Sequence, residues 1–263
     1  MSTKIKWSEY PLTLLEDSLV TNDDTWAIPN VCYQTWIDKY FGKSHFSEIT
    51  DFRSLNRDIS WILFDETAMN DYMRSNWGGH AIYNIFSASN FGPMKADIFR
   101  YCIIFDRGGY YFDVSKSCKI PLRSMHGKFD QAFISFEKNI CITLPDKEAA
   151  NKLDFPLNLV IQWGFGFTAK HPLLLGVIES ICENACLFRN VVFQSPKDAI
   201  LAFTGPGMFT ESVRNFAKQN DFSLVAQCDT DFMGSGVYAL NGSYVRNIGR
   251  KHYTEFDNKI ILN

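Results

Sequence analysis

Short unbroken apolar runs alternate along this chain with stretches in which apolar positions recur at helical spacing. Trp61-Ile62-Leu63-Phe64 is such a run, closed by Asp65-Glu66, and predicts a strand buried on both faces. Ile28 to Thr35 predicts a first strand leading into a loop, with Trp36 opening a polar, mobile segment. A helix follows through Met69 and Met73 until Trp77-Gly78-Gly79-His80 breaks it. Pro93 suits a first helical turn, and Met94, Ile98, Cys102 and Phe105 then recur at nearly helical spacing. Gly108 fits the position just past that helix, where a left-handed backbone costs glycine little. Tyr110 to Phe112 predicts a strand with Asp113 at its carboxyl end. Residues 132–136, 140–144 and 159–167 read as strands, and 172–186, 198–203 and 208–219 as helices, with a Thr204-Gly205-Pro206-Gly207 turn before the last. Residues 1–26 read as an irregular, partly helical lead-in, and 222–263 as short strands and polar loops forming a lid-like end.

Alternating strands and helices without a linker or repeat predict a single α/β domain over residues 1–263, with a sheet flanked by helices. The 263 residues are 46% hydrophobic and include 23 Phe, enough for one sizeable core. Net charge is −3, with Lys and Arg scattered among Asp and Glu, so the basic stripe of a duplex-binding protein is missing and a nucleic-acid partner is not expected. No stretch has the length of a membrane span, and the amino terminus lacks a signal-like apolar core. A cytoplasmic protein is expected, with at most peripheral contact at the inner face of a membrane. Seven dispersed cysteines without a Cys-x-x-Cys pair predict reduced thiols.

Candidate chemistry concentrates in Ala96 to Ser115. Asp97 and Arg100 share one helix face, and on an ordinary helix they would form a solvated ion pair. Here the flanking run Tyr101 to Phe105 is strongly apolar, which points the pair at a polar site instead. Asp113 either caps a turn or, at the carboxyl end of a strand where α/β sheets bind ligands, meets a metal and a diphosphate. Gly108-Gly109 would let the backbone approach a ligand closely.

Lys95 to Asp113 closely resembles the sugar-binding region of the Asp-x-Asp glycosyltransferases, nearest to the Och1-like mannosyltransferases and the bacterial capsule and lipopolysaccharide transferases, more distantly to the clostridial glucosylating toxins. Ile28-Pro29-Asn30-Val31-Cys32-Tyr33-Gln34-Thr35-Trp36 resembles that family's first strand, and Thr204-Gly205-Pro206 its Thr-Gly-Pro turn. The resemblance implies a GT-A fold, a Rossmann-like mixed sheet flanked by helices. It implies a retaining transferase moving a hexose or N-acetylhexosamine from a nucleoside diphosphate, UDP before others, to a hydroxyl of a glycan or lipid-linked glycan in cell-surface polysaccharide or lipopolysaccharide synthesis. Gln34, Thr35 and Trp36 would hold the nucleotide with Gly108, Gly109 and Asp113, Trp36 either stacking on the base or serving as a core or rim aromatic. Asp97 and Arg100 would grip the donor sugar as the catalytic pair, beside Gln162 and Trp163, although packing alone would account for Trp163. Asp113 would bind ribose and Mn²⁺ or Mg²⁺.

The second Asp of the motif is Ser115 here, which weakens the expected metal site. His252 is a candidate replacement ligand, with a surface role as its alternative. His171 reads as a cap or surface residue. Two rival functions follow from Ser115 and the family: a non-catalytic nucleotide-sugar or partner-binding protein on the same fold, or a sugar-phosphate transferase.

Overall fold

The computed structural model describes residues 11–21, 25–141, 143–244 and 258–261. A seven-stranded mixed sheet forms the centre. Its order across the sheet is Val225–Thr230, Ala132–Ile140, Gly164–Phe167, Gly109–Phe112, Val31–Thr35 and Ser60–Phe64, with Asn158–Val160 also paired to Ala132–Ile140. Neighbours in that order pair in parallel except around Gly164–Phe167, which is antiparallel to both its partners. Asn158–Val160 is antiparallel as well.

The central helix, Gly92–Arg107, carries Pro93 in its first turn and ends at Gly108, whose φ is +67°. Met94, Ile98, Phe99, Cys102 and Ile103 are all buried in it. With Pro172–Phe188 and Pro206–Gln219 it covers one face of the sheet, and Tyr101, Phe165 and Phe209 stack there at 5.2–6.3 Å between ring centroids. On the strand Gly164–Phe167, glycine alternates with phenylalanine for a steric reason. A Cβ on Gly164 would lie 2.8 Å from the Phe112 ring, and one on Gly166 2.7 Å from the Tyr110 ring.

Several expectations are corrected. The segment after Trp36 is ordered: Tyr40–Phe41 pairs with Thr13–Leu14, and Lys43–Leu55 is a helix. Two of the four buried side chains of that helix are His45 and Arg53, so its inner face looks polar in sequence. Ala81–Ala88 is a further helix, capped by the His80 side chain. The described part of the lead-in is not helical, and Ser18 bridges Trp61 along the sheet's edge strand. Among the described residues of 140–144 no second strand forms, because Ala132–Ile140 is one strand that ends there, with Ile140 and Leu144 exposed. The strand expected at 159–167 is two strands. Ile161 N–H still reaches Ser135 O at 2.8 Å, but Trp163 O already accepts the Asp113 N–H at 2.8 Å, so the chain changes partner across Gln162. Much of the segment expected to be lid-like is built into the molecule. Val225–Thr230 is a strand of the central sheet, and Gly236–Val237 pairs with Ser117–Cys118.

Candidate active site

The parallel strands deliver their carboxyl ends to one edge of the sheet, and the antiparallel Gly164–Phe167 begins at that same edge. Asp113 therefore leaves one strand where Gln162 and Trp163 lead into the next. Tyr111 and Asp113, two residues apart, share a strand face, and the Tyr111 hydroxyl donates to Asp113 Oδ1 at 3.0 Å. The central helix supplies Asp97 and Arg100 from behind.

The three charged residues converge. Arg100 Nη2 lies 3.2 Å from Asp97 Oδ1 and 3.0 Å from Asp113 Oδ1. Its other nitrogens donate to Gln162 O at 3.1 Å and Ala96 O at 3.3 Å, and the guanidinium sits 4.6 Å over the Tyr111 ring. Asp97 takes the Gln162 side-chain amide on Oδ1 at 2.9 Å and the Thr204 hydroxyl on Oδ2 at 2.9 Å. Tyr101 closes the network by donating to Thr204 O at 2.8 Å and accepting from Gln162 Nε2 at 2.8 Å.

Burial raises the pKa of Asp97, while Arg100, Gln162 and Thr204 oppose that shift. Burial pulls the Arg100 pKa down, but Asp113, Tyr111 and Asp97 outweigh it and hold the guanidinium firmly charged. The Arg100 and Asp97 side chains are 5% and 9% exposed, against 28% for Asp113. The direct grip on a sugar expected of Asp97 and Arg100 is thus taken up by bonds within the protein. In this geometry they position and charge-balance Asp113, which is the one of the three that meets solvent.

The other candidates divide. Gln162 is a full member of the network. Trp163 is 6% exposed, packed on Phe112, Phe232 and Tyr238, and its indole N–H is buried without a partner among the described residues. Trp36 follows the strand Val31–Thr35 at the same edge, and its indole N–H is likewise buried and unpaired. Gln34 and Thr35 are committed internally: Gln34 accepts from Arg53 at 3.0 Å, and Thr35 donates to Phe64 O at 3.0 Å. Gly108 and Gly109 lie at the opposite end of their strand, roughly 13 Å from Asp113 at the usual rise per residue. Their close approach is to the protein itself, since a Cβ on Gly109 would sit 2.4 Å from Val31 O. His252 lies outside the described residues. His171 caps its helix, accepting from the Leu173 N–H at 3.2 Å, but is buried rather than on the surface.

Tyr111, Thr204 and Lys116 are members of this edge that were not singled out as site residues. The spacing Tyr-x-Asp and the Thr-Gly-Pro turn were the available signals for the first two. As a metal site the donor set is poor. Asp113 has one oxygen already shared by Arg100 and Tyr111, and Ser115 adds only a neutral hydroxyl. Among the described residues no group of three or more His, Cys, Asp or Glu is arranged to hold a metal ion. The described residues do not fit a divalent cation of the kind that the two-carboxylate motif binds.

Residues 28–132 match the family model for a glycosyltransferase sugar-binding region containing the DXD motif. Among curated proteins the chain is 21% identical over 197 residues to an initiation-specific alpha-1,6-mannosyltransferase of Schizosaccharomyces pombe, covering 72% of this chain and 48% of that protein. It is 26% identical over 171 residues to inositol phosphoceramide mannosyltransferase 1 of the same yeast, covering 62% and 47%. The chain thus spans about half the length of these relatives. In fold it is similar to the PaToxG glycosyltransferase, with a TM-score of 0.52 and 14% identity over 80% of this chain and 74% of that one. On a GT-A-type sheet, residues 28–132 thus resemble the sugar-binding region of the DXD-containing glycosyltransferases.

Proposed function

We propose that this chain transfers a hexose from a nucleoside-diphosphate sugar to a hydroxyl of a glycan acceptor, with retention at the anomeric carbon. The observation that carries the reading is the meeting of Asp97, Arg100 and Asp113 at one sheet edge, with only Asp113 open to a ligand. The two mannosyltransferase relatives put mannose among the sugars to test, so GDP-mannose stands beside the UDP-sugars. A role in cell-surface polysaccharide or lipopolysaccharide assembly is the setting we propose for the acceptor.

In the reaction the bond from the anomeric carbon to the phosphate oxygen breaks, and its electron pair stays with the nucleoside diphosphate. The acceptor oxygen bonds to the anomeric carbon from the same face, and its proton passes to the departing phosphate. Asp113 accepts hydrogen bonds from ribose or sugar hydroxyls, and Arg100 behind it fixes that carboxylate in place. The indole N–H groups of Trp36 and Trp163, buried and without a partner among the described residues, are candidate donors to the bound donor substrate. Mn²⁺ or Mg²⁺ would contribute Lewis-acid stabilisation of the leaving group in a two-carboxylate relative.

Asp113→Asn tests the reading. Transfer from the best donor should fall at least about a hundredfold, while the melting temperature stays near wild type because the side chain is partly exposed. Turnover within a few-fold of wild type would remove Asp113 from the site. Ser115 favours a second reading, a nucleotide-sugar-binding protein without catalysis. Donor binding without hydrolysis or transfer, under chelation and with Mn²⁺ alike, would establish that one instead.

A further inference from the structure

The side chain of Lys116, the residue after the motif, extends away from the hydrogen bonds around Asp97, while its backbone N–H donates to Asp113 O at 2.9 Å. Its ammonium lies 5.7 Å from the Trp163 ring centroid and 5.3 Å from that of Tyr238, and it donates to the Tyr238 carbonyl oxygen. An ammonium has three N–H donors, and this contact uses one. Beside it the Trp163 indole N–H is buried and unpaired among the described residues. A cation and a neutral donor that border the same ring form a pair suited to phosphate oxygens. The charged groups that act on Lys116 are the carboxylates of Asp113 and Glu137 and the guanidinium of Arg100.

The segment that supports Lys116 is strained. Asp229, Asp231, Phe232 and Met233 all have φ between 45° and 57°, followed by Gly234 at 73°. Each such conformation costs an ordinary residue about 1–2 kcal/mol. Ser135, fully buried, holds the turn by donating to Asp229 O and accepting from the Phe232 N–H, each at 2.8 Å. The turn leads into Tyr238, whose hydroxyl donates to Asp231, whose carboxylate is also paired to Lys138 at 2.9 Å. Strain of this kind persists where the surroundings enforce a working geometry. Here its product is a fixed Tyr238 carbonyl and ring, which seat the Lys116 ammonium against Trp163.

We propose that the Lys116 ammonium, together with the Trp163 indole N–H, binds the diphosphate of the nucleotide-sugar, so that donor binding by this chain does not require a divalent cation. The proposal rests on the transferase reading above. It answers the chemistry of the motif, where Ser115 removes a carboxylate that would hold a metal and the next residue supplies a positive charge directly.

Isothermal titration of the full chain with UDP-glucose and GDP-mannose, in EDTA and in Mn²⁺, tests it. For at least one donor, wild-type affinity should change less than about threefold on chelation. In EDTA, Lys116→Met should weaken that affinity by about tenfold or more, as expected for loss of a charge-assisted contact. Lys116→Arg should stay within about threefold, and Trp163→Phe, which keeps a ring and removes the N–H, should weaken binding as well. Lys116→Gln retains a donor for the Tyr238 carbonyl and separates loss of charge from loss of fold. Wild-type binding that appears only with Mn²⁺, or Lys116→Met binding like wild type, overturns the assignment and leaves the transferase reading standing. Absence of donor binding by wild type in both conditions overturns both.

Discussion

Asp97 shows how a single side chain was half legible in the sequence. Its spacing to Arg100 and its apolar neighbours turned it away from bulk water, and it is buried. They did not reveal Thr204 and Gln162, which reach it from 107 and 65 residues away. Those partners change what a substitution does. Asp97→Ala removes one buried acceptor shared by Arg100, Gln162 and Thr204, whose other bonds remain, so it should cost about 2–3 kcal/mol of stability as well as activity. Loss of activity with folding retained is the outcome expected of Asp113, the more exposed carboxylate. Urea denaturation measures the difference, and an Asp97→Ala variant within about 1 kcal/mol of wild type would show that the network is dispensable. Gly108 and Gly109 illustrate the opposite error. Glycine was read as letting the backbone approach a ligand, and the close neighbours at these two positions are Val31, Pro29 and Ala169.

Elements bounded by strong stop signals were the readable ones. The central helix has Pro93 at one end and Gly108 at the other, and Gly108→Ala would put a Cβ 2.6 Å from Ala169 N at a positive φ. Lys43–Leu55 was unreadable because His45 and Arg53 turn inward, and 158–167 because a single polar residue, Gln162, in an otherwise apolar run does not announce the change of partner there. The helix Pro172–Phe188 carries a testable pH response. Burial pushes the pKa of its cap, His171, from 6.5 down to about 4, and the neutral ring accepts the Leu173 N–H. The unfolded chain gains a proton near pH 6.5 that the folded chain resists until about pH 4. This contribution is therefore complete above about pH 6.5 and declines by about 3 kcal/mol as the pH falls to about 4. His171→Asn keeps a capping acceptor and should flatten that acid limb. An acid denaturation profile identical to wild type would mean that other groups govern it.

For the molecule as a whole, the α/β class followed from alternation of strands and helices, and the GT-A architecture from motif order. Strand order did not follow, because which strand reverses depends on contacts made far along the chain. All seven cysteines are free, with Cys186 exposed and Cys182 partly so. Thermal unfolding should accordingly be the same with and without reductant, and a lower melting temperature in dithiothreitol would point to a disulfide.

The reversed strand Gly164–Phe167 has a consequence for evolution of the pocket. In an all-parallel sheet, every loop at the binding edge comes after a strand and can vary freely beyond it. Here one wall is entered from the other direction, through residues still tied to Ala132–Ile140 on one side and to Asp113 on the other. An insertion between Ile161 and Trp163 would shift both attachments together. Diversification of specificity should therefore accumulate in the loops that follow strands, while this entry stays fixed in length.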